Sequence, residues 1–388
     1  MRNTPKWTNF VCVNEHLFNF SHDLALARNT VHYTPPPNVQ LMERDLAPLV
    51  QLLPAAELRY DAMAPVWGWN LSFVNALRRK GFHDLPTDEQ LAAIRALSSR
   101  RTAVEMLSAL RSCLPQDLTV GESVMLVSET AFAEAIGTLL RTWRAGHSST
   151  LILKAPYSGS GRGLRLVRGS LTEQQEHWAL RCIREQGGVV AEPYYDKVLD
   201  FALEFLVDSA GVKYLGLSVF ATNENNVYVG NIIALQSALQ KKIIKFIPTL
   251  DFQNLIDVVA PEINCRFTGH YLGPVGVDMM IVKVAETDVK ADSKKSQPAY
   301  KISPCVEVNV RRTMGELSLH LLPLLADGTE GFFRLLFDKS PATLAGRVAA
   351  MPSPVYDARH RLISGTHLLT PITPDHATTH YVALLETI

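Results

Sequence analysis

The chain has 388 residues, 47% of them hydrophobic, with 38 Lys+Arg balanced by 38 Asp+Glu. That length can supply core for two or three lobes, and a net charge near zero argues against bulk nucleic-acid or anionic-membrane binding. The five cysteines (Cys12, Cys113, Cys182, Cys265 and Cys305) are odd in number, widely spaced and free of any Cys-x-x-Cys. Zinc and a disulfide framework are therefore not expected, and a reducing compartment is. The segment from Met1 to Trp7 has no long apolar stretch, and no run approaches the ~18 apolar residues of a membrane helix. The expected location is the cytoplasm.

In chain order, a strand-like Phe10–Phe20 leads into Ser21-His22-Asp23 and a helical Leu24–Arg28, stopped by Thr34-Pro35-Pro36-Pro37. Val39–Leu53 has helical spacing, and Val66-Trp67-Gly68-Trp69-Asn70 predicts a short strand and turn. Leu71–Arg79, Thr87–Ser98 and Arg101–Cys113 read as helices, the second with Thr87 as N-cap. Next come strand Ser123–Val127, helix Glu129–Trp143, strand Leu151–Lys154, a Gly-rich loop and strand Leu164–Val167. Helix Thr172–Gln186 and strand Val189–Glu192 follow. Leu199–Val207, Lys213–Ala221 and Val227–Ala234 are strand-like, and Phe252–Ile263 is helical. Gly276–Val284 and Tyr300–Val310 form the last hairpin, around a solvated excursion, Glu286–Pro298. Glu316–Leu325 reads as a helix and Tyr381–Leu385 as a closing strand. These elements divide into residues 1–118, 119–190, 191–340 and a C-terminal extension, 341–388.

The chemistry concentrates in two places. In Lys154-Ala-Pro-Tyr-Ser158-Gly159-Ser160-Gly161-Arg162-Gly163 a strand ends in lysine, and glycines at alternate positions follow. Glycine lets successive N–H groups turn toward one anion, so the stretch can cradle phosphate, although an ordinary hairpin turn has the same composition. No Lys follows the glycines, and a strand rather than a helix follows the loop, which excludes the P-loop and the dinucleotide fingerprint. Further along, Asp278 lies in an apolar strand-like run, where a carboxylate is costly unless paired or metal-bound. Glu307, Asn309 and Arg311 alternate with valines, so period-2 geometry puts them on one strand face. Two carboxylates and an amide oxygen make the hard donor set that Mg²⁺ prefers. A buried salt bridge from Arg311 to Glu307 or Asp278 is the simpler alternative.

With these residues the chain resembles the ATP-grasp superfamily, in Lys154, the Ser158–Gly163 loop, Glu192-Pro-Tyr-Tyr195, Asp278, Glu307, Asn309 and Arg311. The match runs over roughly Thr119–Leu325, about half the chain, and the Gly-Arg-Gly loop is of the biotin-carboxylase style. The resemblance implies an N-terminal α/β lobe followed by a two-lobed α/β and α+β ATP-grasp fold, with ATP between the lobes. It implies that Lys154 and the loop bind ATP phosphates and that Glu192 lies beside the adenine, with Tyr195 nearby. It makes Asp278, Glu307 and Asn309 the ligands of Mg²⁺ (or Mn²⁺) and Arg311 a phosphate or substrate contact. Arg100 or Arg101 is a further candidate to touch ATP. The implied activity joins a small-molecule carboxylate, activated as an acyl phosphate, to an amine or thiol. A kinase on the same fold and a non-catalytic ATP-binding protein are the alternatives. No nucleic-acid or membrane partner is implied, and pairing as a homodimer is common among such enzymes.

Two features stand outside that resemblance. The Ser21-His22-Asp23 turn sits where a strand hands over to a helix, so it could hold an acceptor carboxylate; otherwise Ser21 or Asp23 caps the helix and His22 is a surface residue. His360, His367, His376 and His380 lack the spacing of a ligand motif, so surface or packing roles are expected of them.

Overall fold

A computed structural model describes residues 18–54, 66–146, 150–159, 163–224, 226–284, 299–372 and 378–388. The expected strand before residue 18, Ser160, Gly161, Arg162, the excursion after residue 284 and His376 lie outside the described residues. Helices α1 (His22–Arg28), α2 (Pro37–Leu46), α3 (Leu71–Arg79), α4 (Asp88–Leu97) and α5 (Arg100–Cys113) come first. Strand β1 (Val124–Leu126), helix α6 (Glu129–Gly146), strands β2 (Thr150–Lys154) and β3 (Leu164–Arg168), helix α7 (Glu173–Gln186) and strand β4 (Val189–Pro193) follow. Then come strands β5 (Asp196–Asp208), β6 (Gly211–Thr222) and β7 (Tyr228–Ile233), helices α8 (Gln236–Ile244) and α9 (Phe252–Phe267), and strands β8 (Gly273–Val284) and β9 (Ala299–Asn309). The chain closes with α10 (Met314–Leu319), β10 (Gly331–Phe337), α11 (Pro341–Ala349), β11 (Val355–Tyr356), β12 (Leu362–Ser364), β13 (Thr366–Leu368) and β14 (Tyr381–Thr387). This is a mixed architecture of helices and large antiparallel sheets. Among the described residues no helix is long and apolar enough to cross a membrane.

Contacts divide the chain into two compact units, one of residues 92–228 and 236–310, the other of residues 1–91, 229–235 and 311–388. The first holds two sheets. In the smaller, β1-β4-β2-β3, all neighbours are antiparallel. Leu151 and Leu153 of β2 alternate into a core with Val189 and Ala191 of β4, closed by Phe132 of α6 and Ala179, Cys182 and Ile183 of α7. Period 2 then turns Ile152, Lys154, Val190 and Glu192 to the opposite face. A capping box between Thr172 and Gln175 starts α7, and Gly187 in the left-handed region ends it. The second sheet of this unit runs β6-β5-β8-β9, again antiparallel. Helix α9 buries Phe252, Leu255, Val259, Ile263 and Phe267, a single helical stripe, against β5 and β6. Helix α5 packs on β9.

The other unit contains strands in the order β13-β14-β10-β7 and helices α1–α3, with α2 packed on β14. Here several expectations are corrected. Residues 66–70 form no strand: Trp67 is buried in an irregular segment, and Asn70 caps α3 by accepting from the Phe73 N–H at 3.0 Å. The helix expected over Val39–Leu53 ends at Leu46 and continues as a 3₁₀ turn from Ala47 to Leu52, because Pro48 lacks the N–H an α-helix needs there. The helix expected over Glu316–Leu325 begins at Met314, capped by Thr313, and gives way to a 3₁₀ turn at Leu322–Leu324.

His22 is 1% exposed, not a surface residue, with Gly68 against its ring. Asn70 Nδ2 lies 3.3 Å from His22 Nδ1. Burial lowers its pKa to about 4, with Asp23 pulling upward and Arg311 downward. An unfolded chain takes up this proton near 6.5, whereas the folded one refuses it until about 4, so folding stability falls as pH drops through that window. His22→Gln is expected to remove that part of the acid slope, on the order of 3 kcal/mol, in urea unfolding measured across the same pH range.

Candidate functional site

The sequence candidates within residues 92–310 converge. At the end of β2, Lys154 is opposite Val190 of β4, which puts Glu192 two residues further on the same face. Their side chains meet as an ion pair, Lys154 Nζ to Glu192 Oε2 at 2.6 Å, with Lys154 only 6% exposed. Ser123 Oγ donates to the other carboxylate oxygen at 3.1 Å. Glu192, expected beside adenine, is thus also the residue that fixes the lysine. Tyr195 packs with Val120, Val282 and Val284. Burial, then the Glu122 and Glu192 carboxylates, push its phenol well above the usual range, so it stays protonated.

Past Lys154 the loop is shaped by one glycine. The Ala155 N–H donates to the Gly163 carbonyl at 2.9 Å, closing the loop between β2 and β3. A Cβ on Gly163 would fall 2.2 Å from Ser158 Oγ and 2.3 Å from Ser158 Cβ, so no side chain fits there. Ser158 is buried, and Gly159 continues from it toward residues outside the description.

The carboxylates come together through strand register. Asp278 of β8 is directly opposite Glu307 of β9, and Gly276 is opposite Asn309. Asp278, Glu307 and Asn309 therefore share one face, as facing antiparallel pairs and positions two apart must. Beyond Asp278 the register slips, so that Met280 faces Ser303. The slip coincides with Pro304, which has no N–H for the ladder and is tolerated at a bulge in the terminal strand of this series. Between them, Cys305 is buried. Burial, then Asp278 and Glu192, hold its thiol far above its ordinary pKa.

Arg100, at the first position of α5, joins the two halves of the site. It is 6% exposed. Its Nη1 donates to the Ala155 carbonyl and to Ser158 Oγ, both at 2.7 Å; its Nη2 donates to the Ser158 carbonyl at 3.2 Å and to Glu307 Oε1 at 2.8 Å. Arg101 is exposed. Of the two candidates, Arg100 is the one the fold places at the loop, and the salt bridge of Glu307 is made to it and not to Arg311.

Arg311 lies in the other compact unit, where it grips Asp23 with two donors, Nη2 at 2.9 Å and Nε at 3.2 Å. Asp23 is thereby committed, and Ser21, although at the helix N-cap position, makes no capping bond through its side chain. Arg312 pairs with Glu316. Among the described residues no group of three or more His, Cys, Asp or Glu could hold a metal ion. His360 is exposed, His367 Nδ1 lies 2.7 Å from the Tyr356 hydroxyl, and the His380 N–H donates to Asp45 at 2.7 Å.

The donors fit the groups the sequence resemblance implies. Asp278, Glu307 and Asn309 offer only oxygen ligands on one face, which suits Mg²⁺ or Mn²⁺ with waters and phosphates completing the shell.

No family profile matches the sequence, and no curated protein matches it significantly. Solved structures resemble it distantly. An N5-carboxyaminoimidazole synthetase from Staphylococcus aureus, complexed with ADP, is 14% identical with a TM-score of 0.40, covering 75% of this chain and 68% of that one. A biotin carboxylase from Campylobacter jejuni is 13% identical with a TM-score of 0.44, covering 81% of this chain and 68% of that one. A pyruvate carboxylase from Rhizobium etli is 14% identical with a TM-score of 0.48, covering 83% of this chain and 28% of that one. At such values the functional reading rests on the side chains themselves.

Gly163→Ala is expected to destabilise the chain by about 1–3 kcal/mol through overpacking against Ser158. In a Ser158→Gly background the same change should cost much less. Urea unfolding of the four chains measures that coupling, and additive effects would deny the contact.

Proposed function

We propose that the chain is an ATP- and Mg²⁺-dependent ligase that activates a small-molecule carboxylate for attack by an amine or thiol. The observation that carries this reading is the facing pair Asp278–Glu307, with Asn309 beside it, tied through Arg100 to the loop that follows Lys154. A salt bridge serving stability alone needs neither the amide nor the glycine loop at the other end of the arginine.

In the proposed reaction a substrate carboxylate oxygen attacks the γ-phosphorus of ATP, the bond to the β-phosphate oxygen breaks, and ADP leaves. The nucleophile then attacks the acyl carbon, loses its proton and expels phosphate. The chain's part is positioning and charge complementarity. Lys154, ion-paired with Glu192, and the amides of the Ser158–Gly163 loop take the phosphates. Glu192 and Tyr195 flank the base. Asp278, Glu307 and Asn309 hold the metal, which neutralises phosphate charge when bound. Arg100 is a positioning residue, aiming Glu307 and bracing the loop.

Mg-ATP at about 100 times its dissociation constant should stabilise the chain by about 2.7 kcal/mol. The expected result is a thermal midpoint that rises with Mg-ATP in the wild type and stays put in Lys154→Met. No rise in the wild type would contradict the nucleotide site. A second test separates the metal from the fold. Glu307→Gln keeps an oxygen for Arg100, so it should cost under about 1 kcal/mol in stability, while acceptor-dependent ADP release falls at least about a hundredfold. Full ADP release in that variant would remove Glu307 from the metal site.

A further inference from the structure

Outside the nucleotide reading, a cavity of about 290 Å³ opens among α1, α2 and α3. It is the size of an amino acid or a small arylalkyl compound, at the low end for ligand sites. Phe18, Tyr33 and Phe73 give it an aromatic wall, and Glu43 and Lys80 are its charged lining groups. The polar neighbours are largely engaged within the protein. Asn70 caps α3 and meets His22, and Ser72 Oγ accepts from the Tyr33 N–H at 3.0 Å.

Glu43 differs from them. Its Oε1 accepts from the Ser21 N–H at 2.8 Å, and the Ser21 hydroxyl adds a second bond. No cationic side chain pairs with it among the described residues, and burial pushes its carboxyl above the ordinary range. A half-buried carboxylate without a counter-ion gains from a ligand cation. The same contact decides the sign of the ligand. The N–H that the Ser21 turn would offer to an acceptor carboxylate is already used by Glu43, and Asp23 is used by Arg311. Glu43 of α2, which lines the cavity, is therefore the group that favours a cation there.

We propose that this cavity binds a small primary ammonium compound with an apolar body, its ammonium on Glu43 and its body against Phe18, Tyr33 and Phe73. Lys80, the other charged group of the lining, favours an anionic group at the far end, as in an amino-acid zwitterion.

The test titrates the full chain with phenylalanine, phenethylammonium and phenylacetate by calorimetry, on wild type, Glu43→Gln and the cavity-filling Ala76→Phe. Each variant is first checked for a wild-type thermal midpoint shift with Mg-ATP, which keeps this result separate from that of the nucleotide site. The expected outcome is that both amines bind the wild type and phenylacetate does not. Glu43→Gln should weaken the amines by at least about tenfold, the worth of one charged hydrogen bond, and Ala76→Phe should abolish binding. Unchanged amine affinity in either variant, phenylacetate binding as well as the amines, or no amine binding to the wild type would each overturn the proposal.

Discussion

The site depends on the pairing register of two strands. Asp278 and Glu307 are 29 positions apart in sequence, yet the β8–β9 ladder sets them face to face. Two carboxylates directly opposite each other repel and are unfavourable in a sheet built only for stability. The ladder carries them in an apolar setting because strand pairing and the flanking valines hold the backbone. Arg100 provides one positive charge on Glu307 from the start of α5. Asp278, Glu307 and Asn309 present oxygen donors on one face, the set proposed above to hold a metal.

The surrounding structure supports that pair. The bulge at Pro304 lets the ladder slip just past Asp278, so the strand can bend where the donors are needed without disturbing the register beneath them. Arg100 spends its other donors on Ala155 and Ser158, and Ser158 in turn excludes any side chain at position 163. Loop, arginine and acidic face thus behave as one braced group. The sheet under Lys154 has the same economy: Leu151 and Leu153 anchor the strand in its helix-covered core, which leaves the alternate face for Lys154 and Glu192.

Much of this was legible in the sequence because it is local. Alternation of Glu307 and Asn309 with valines has a fixed geometric meaning, and a lysine closing an apolar strand before spaced glycines is a local signal too. Asp278 announced itself as a carboxylate out of place in an apolar run. Long-range facts were not legible. Nothing near Arg100 shows that its guanidinium reaches Glu307, and nothing near His22 shows that Gly68 packs against its ring. Strand β10, Gly-Phe-Phe-Arg-Leu-Leu-Phe, lacks a clean alternation, and β11 to β13 are two or three residues long, too short for any period to register.

The measurement that tests the central claim most directly is electron paramagnetic resonance of Mn²⁺ titrated into the chain with ATP, in the wild type and in Asp278→Asn and Glu307→Gln. The free-ion signal should fall on addition of wild-type protein beyond what ATP alone removes, and each variant should lose most of that extra binding while keeping its folded spectrum. Equal Mn²⁺ uptake by all three chains would contradict the account and return Asp278 and Glu307 to the role of structural charges.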